Sequence, residues 1–287
     1  MSRRPALSSQ VRPHRLIIVL VTALLVGTGV GIALVPGAGD EPANPQPGPS
    51  RPPINPPPAL ALAGPPSAAA AGIDLSGWKL SIPVENDDGD ATTVEPAATT
   101  APWLTVTPDG GLGFWAPASG ATTPNSTHTR TELNSLTNFT AGQGSHTLSA
   151  SVTLQQEPSD GRGIIVGQIH GAEDMSSVPF VMLRYQQGRV RVAVKQVQDG
   201  DDVINYPLLD AVKIGDTFEY TITDTGDGSM TFTATKDGLT QRAVAPVPSA
   251  FIGATVRFQA GDYQQADTPG GANDGGRVTF HRLTQQP

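Results

Sequence analysis

Between residues 73 and 287 hydrophobic and polar positions alternate in short runs, with almost no 3.6-residue period. The runs WKLSIPV, THTRTELNSL, SHTLSASVTLQ, RGIIVGQIH, PFVMLRYQ, RVRVAVKQV, TFEYTITDT, SMTFTATK, TQRAVAP, ATVRFQAGDY and GRVTFHRLT all read as strands. Turn residues separate them. Asp237-Gly238 predicts a type I′ hairpin turn, and Gly226–Gly228 and the Gln-Gln-Gly before Arg189 predict two more hairpins. PLLDAVKIGD predicts one helical turn. Eleven or more short strands joined this way predict an all-β domain, an antiparallel β-sandwich (jelly roll) with a polar groove on its concave sheet.

The first 71 residues lack this alternation. Arg3, Arg4, Arg12 and Arg15 precede an unbroken apolar run from Leu16 to Val35. A basic stretch followed by an apolar one is the pattern of an export signal, and 20 residues suffice to cross a bilayer. Residues 1–35 therefore read as a signal peptide or an uncleaved anchor, with membrane attachment through residues 16–35. Residues 36–72 are rich in Pro and Ala and read as an extended linker. Residues 73–287 read as the one folded domain, expected to be a monomer outside the cell or attached to its envelope.

Charge narrows the partners. The chain carries −8, but its first 71 residues hold five arginines and two acids, so the domain alone carries −11. That argues against nucleic acid, and a polyanionic partner would need the few cations gathered in one cleft. With no cysteine there are no disulfides, and with four scattered histidines in the domain a metal site or other cofactor is not expected. The acidic stretch NDDGD at 86–90 reads as a solvated loop.

Three strands place chemical groups two residues apart. THTRTELN puts His128, Arg130, Glu132 and Asn134 on one face; IIVGQIHG puts Gln168 and His170 together; RFQAGDYQQ aligns Arg257, Gln259, Tyr263 and Gln265. Taken singly, each has a plain reading: a surface ion pair, a solvated histidine, a packed tyrosine.

Taken together, RTELN, QIH and RFQAGDYQQ resemble, in order, the signature strands of polysaccharide lyase family 7, the alginate lyases, and LSGWKLSIPV resembles that family's opening strand. Asn134 stands where the family usually has a second Arg, Arg257 where it has an aromatic residue and Gln259 where it has Lys. The resemblance implies a lyase acting on an anionic polyuronate, most directly alginate. A base removes the C5 proton of a uronate and the C4–O bond breaks, leaving an unsaturated sugar. It assigns Arg130 and Gln168 to the carboxylate, His170 to the base near neutral pH and Tyr263 to the proton for O4, or Tyr263 to both proton steps. His128, Glu132, Asn134, Arg257, Gln259 and Gln265 would bind substrate. Within the family, Gln-Ile-His accompanies action on guluronate-containing regions. A lyase for another polyuronate such as glucuronan, or a non-catalytic carbohydrate-binding jelly roll, are the alternatives. A glycoside hydrolase would need two carboxylates flanking the bond.

Overall fold

The computed structural model describes residues 72–287; the signal, anchor and linker readings fall on residues outside them, apart from Gly72. The strands, in chain order, are β1 (Trp78–Glu85), β2 (Ala91–Val94), β3 (Leu104–Val106), β4 (Leu112–Pro117), β5 (Arg130–Thr140), β6 (His146–Gln156), β7 (Ile164–Gly171) and β8 (Pro179–Gln186). They continue with β9 (Arg189–Lys195), β10 (Val203–Leu209), β11 (Thr217–Asp224), β12 (Ser229–Lys236), β13 (Leu239–Pro246), β14 (Thr255–Gln264) and β15 (Gly275–Gln286). One sheet runs β10-β9-β8-β7-β14-β5-β1-β2 and the other β13-β12-β11-β6-β15-β4-β3. Neighbouring strands pair antiparallel throughout, as the alternation predicted.

Period-two alternation drives this layering. In β6, Leu148, Ala150, Val152 and Leu154 are buried while the intervening Ser and Thr stay partly exposed. Phe218, Tyr220 and Ile222 of β11 join them, and Val181, Leu183, Val192 and Val194 meet them from the other sheet. Each large side chain so buried contributes about 1.5–3 kcal/mol. The turns follow their chemistry: Asp237 and Gly238 have φ of 52° and 76°, and Gln187 and Gly188 have 47° and 80°, the left-handed pair of a type I′ turn.

The helical turn expected in PLLDAVKIGD does not form. Pro207–Leu209 end β10, and Lys213–Asp216 close a turn in which the Asp216 carboxylate accepts from the Lys213 N–H at 2.9 Å. Among the described residues the helical turn lies instead at Glu173–Met175. The core fills the space between the sheets, so the outer face of β8-β7-β14-β5-β1 is free to carry other chemistry.

Candidate active site

That outer face forms a cleft of about 460 Å³, and the adjacent strands bring the three signature stretches side by side. Tyr263 of β14 pairs with Arg130 of β5 and Ile165 of β7; Gln259 pairs with Asn134 and Gln168; Arg257 pairs with Asn138 and His170. Two backbone features set this register. Val166 is an extra residue in β7 opposite β8, which lets Ile165 line the cleft while Val166 joins the core. Gly261 lies where a Cβ would stand 2.6 Å from the Thr131 carbonyl, so only glycine lets β14 approach β5 there.

The inner face of β14 explains its unusual second half. Phe258 and Ala260 enter the core, but Asp262 and Gln264 are equally buried. The Gln264 amide donates to Thr129 Oγ1 at 2.9 Å and accepts from the Ala266 N–H at 2.6 Å. Asp262 accepts from the Ala116 N–H at 3.3 Å, and burial pushes its carboxyl well above the usual range. Gln264 thereby fixes the residue just before Arg130.

Below the cleft floor lies one connected network. Glu132, with no exposed surface, accepts from Arg130 Nη1 at 3.0 Å and from Gln168 Nε2 at 2.6 Å. Gln168 Nε2 also donates to Gln259 Oε1 at 2.9 Å, Gln259 Nε2 to Asn134 Oδ1 at 2.6 Å, and Asn134 Nδ2 to Ser81 Oγ at 3.2 Å. Burial pushes the Glu132 carboxyl up, while the Arg130 charge and the Gln168 bond pull it down. Since both of its oxygens receive donors, the geometry holds it as a carboxylate.

His170 donates Nδ1–H to the Gly171 carbonyl at 3.0 Å, which leaves Nε2 as a free lone pair. Burial, then the charges of Arg130 and Arg257, lower its pKa to about 4. The imidazole is neutral at pH 7 but far less basic than the near-neutral base the sequence suggested. On the other side of the cleft, the Arg130 guanidinium stacks 3.7 Å from the Tyr263 ring centre. Ser126 Oγ lies 3.1 Å from the Tyr263 hydroxyl and accepts from Arg130 Nη2 at 3.2 Å.

Arg130, Asn134, Gln168, His170, Arg257, Gln259, Tyr263 and Gln265 all line the cleft. Glu132 and His128, expected to meet substrate, do not. Glu132 sits beneath the floor, and His128 lies in the loop before β5 with Nδ1 3.1 Å from the Ala266 carbonyl and its ring 6.3 Å from that of Tyr263. Gln168, expected to donate to the substrate carboxylate, spends its amide N–H groups on Glu132 and Gln259, and its Oε1 is left without a partner.

Of the lining residues that escaped the sequence reading, three bear on the chemistry. Lys79 and Ser81 alternate with Leu80 and Ile82 in β1 just as the signature residues do, a signal that was present. Ser126 sits in a loop, where no period points to it. The lining cations are Lys79, Arg130 and Arg257, and no carboxylate lines the cleft. Arg257 forms no ion pair among the described residues, and its buried Nε has no partner. An acidic domain thus concentrates unpaired positive charge here. No group of three or more His, Cys, Asp or Glu side chains suited to a metal occurs among the described residues.

A family model described as alginate lyase matches residues 73–287. An alginate lyase of Klebsiella pneumoniae is 27% identical over 273 residues, covering 74% of this chain and 88% of that one. The crystal structure of alginate lyase A1-II′, a member of polysaccharide lyase family 7, superposes with a TM-score of 0.66 at 28% identity, covering 77% of this chain and 98% of that one. An alginate lyase from Pseudomonas aeruginosa gives 0.65 at 28% identity, covering 74% and 99%. Variants of A1-II′ have been solved with a product, GGG, and with a substrate, GGMG.

Proposed function

The chain belongs to polysaccharide lyase family 7, the alginate lyases, and from that premise we propose that its cleft cuts alginate by β-elimination without a metal, guluronate-containing regions included. One observation carries the reading. A guanidinium, a neutral imidazole and a phenol converge on a cleft lined by three cations and no carboxylate.

The C5 proton of a uronate is a poor acid while the neighbouring carboxylate is ionised. Arg130 keeps an N–H on each of Nη1 and Nη2 beyond its bonds to Glu132 and Ser126, and these meet the carboxylate as a charge-assisted fork. Where the C5 proton lies on the leaving-group side, Tyr263 as phenoxide takes it and returns it to O4. Where it lies on the opposite side, His170 Nε2 takes it, its basicity raised by the carboxylate that substrate brings. Tyr263 then supplies the proton to O4. Lys79 and Arg257 hold the carboxylates of neighbouring sugars. Guluronate is favoured by the GGG product held by the related A1-II′ enzyme and by the Gln-Ile-His triplet, whose fully buried Ile169 acts through strand packing.

A hydrolase does not fit. It needs two carboxylates at the bond, and the nearest acid, Glu132, is buried and bonded to Arg130. Incubation with polyguluronate, polymannuronate, mixed alginate and glucuronan decides the substrate by the rise in ultraviolet absorbance of the new double bond. Tyr263→Phe is expected to lower kcat by about 10²–10⁴-fold with polymer binding retained. Absorbance rising on glucuronan alone would overturn the alginate assignment, and reducing ends formed without absorbance would overturn the elimination. Residues 1–35 direct export in this reading; mass spectrometry of native material showing an N-terminus before Leu16 on a chain retained in the cytoplasm would contradict it.

A further inference from the structure

The elimination requires Tyr263 to lose and regain one proton in a fixed direction, and the loop before β5 holds the device that directs it. Asn125 adopts φ of 63°, and the Ser126 N–H bonds the Thr123 carbonyl at 3.1 Å. This turn brings Ser126 Oγ to the centre of four polar groups. Arg130 Nη2 lies at 3.2 Å, the His128 N–H at 3.3 Å, the His128 carbonyl at 3.0 Å and the Tyr263 hydroxyl at 3.1 Å.

A hydroxyl has two lone pairs and one proton. The guanidinium and the amide N–H can only donate, and together they occupy both lone pairs. Ser126 therefore has no lone pair left for the phenol proton, and its own proton has two acceptors to choose from: the His128 carbonyl and the Tyr263 oxygen. The phenol proton is turned away from Ser126 and toward the cleft, where the elimination requires O4 of the sugar to be. Once Tyr263 is a phenoxide, it outcompetes the neutral carbonyl for the Ser126 proton, because a charged acceptor makes the stronger bond. The other charged or titratable groups beside the phenol are Arg130, stacked on its ring at 3.7 Å, and His128, whose ring is 6.3 Å away and whose Nε2 is 3.9 Å from Asp267.

We propose that Ser126 is a positioning residue that aims the phenol proton of Tyr263 into the cleft and holds the phenoxide by a hydrogen bond after transfer. The balance is closed. The phenoxide takes the C5 proton, the C5–H electron pair becomes the C4–C5 double bond, and the C4–O4 pair leaves with the oxygen. The same proton then moves from the phenol to O4, restoring the phenoxide. Ser126 gives up no proton at any stage; it moves its hydrogen bond from the His128 carbonyl to the phenoxide.

The inference rests on the elimination reading, and its test separates the two. With alginate, Ser126→Ala is expected to lower kcat about tenfold to a hundredfold, the effect of losing a hydrogen bond to a charged group, while KM changes by less than about twofold. Its kcat–pH profile should move to higher pH, and Ser126→Thr, which keeps the hydroxyl, should restore both. Without substrate, alkaline ultraviolet titration of the Ser126→Ala protein, read against Tyr263→Phe as the blank, should show the Tyr263 transition at higher pH than in the wild type. An unchanged kcat, a loss confined to KM, or a Tyr263 transition that does not move would each overturn the proposal. The substrate-free titration does so even if the chain proves inactive on every polyuronate.

Discussion

On the outer face of the seven-stranded sheet, several threonine hydroxyls pair off two by two. Thr147 meets Thr223 at 3.1 Å, Thr221 meets Thr233 at 2.6 Å and Thr235 meets Thr240 at 2.8 Å, each a separate cross-strand contact open to water. Charges on that face are also paired locally, as in Arg282 with Glu219 at 3.3 Å, both half exposed. On the outer face of the eight-stranded sheet the polar groups are buried and joined end to end from Ser81 to Arg130, while Arg257 is left unpaired. Both faces show the same period of two and the same alternation of polar with apolar residues. What separates a wetted face from a built site is burial and connectivity. Polar groups taken out of water need partners, and a cation left without one has its capacity free for a ligand.

The contrast should break most sharply at Glu132. Glu132→Ala leaves Arg130 and Gln168 buried without their acceptor, and a loss of about 3–5 kcal/mol in unfolding free energy is expected. Glu219→Ala on the opposite face should stay within about 0.5 kcal/mol. Urea unfolding of the two variants measures both, and equal losses would dissolve the distinction.

Acid should act on the cleft next. The pKa of His170 is lowered to about 4 in the fold, whereas an unfolded histidine titrates near 6.5. As pH falls from about 6.5 to about 4, the unfolded chain takes up this proton before the folded one does, so stability drops across that window. Below it both states are protonated and the loss is complete. Relative to His170→Asn, the wild type should lose about 3 kcal/mol more between neutral pH and the bottom of that window. Parallel slopes of unfolding free energy against pH would contradict the buried, neutral imidazole.

Arg257→Ala removes a cation that makes no ion pair among the described residues. KM for alginate should rise about tenfold with a smaller change in kcat, and the rise should shrink in high salt. A stability loss without a KM effect would mean that the guanidinium serves the fold. Thr233→Val, which breaks one of the isolated hydroxyl pairs, should change stability by less than about 0.5 kcal/mol and leave kcat alone.

The alternation that distinguishes strand from helix carried most of the fold, because most of the eleven expected runs bury at least one face; β13, exposed along nearly its whole length, is the exception. The four strands that went unread lack that signature. β3 has three residues, β2 has four, β4 is buried almost throughout around a glycine, and β10 is an edge strand holding Pro207. In the site, spacing predicted which side chains share a face in β5 and β14. It could not show that Glu132 lies beneath that face, nor that an extra residue at Val166 redirects Ile165, since depth and bulges leave no period. Ser126 acts through a turn and four contacts, none of them encoded in its neighbours.

The amide chain below the cleft also constrains how this site can change over time. Glu132 only accepts, so every link above it has one direction: Gln168 gives to Gln259, Gln259 to Asn134, Asn134 to Ser81. A lysine at 259 alone would leave Gln168 only Glu132 to donate to, and an arginine at 134 alone would leave Gln259 without an acceptor. Asn134 and Gln259, which look like two separate departures from the family pattern, are therefore coupled through one hydrogen bond. Changing either residue alone breaks the link between β5 and β14, so the two positions tune the cleft as a pair.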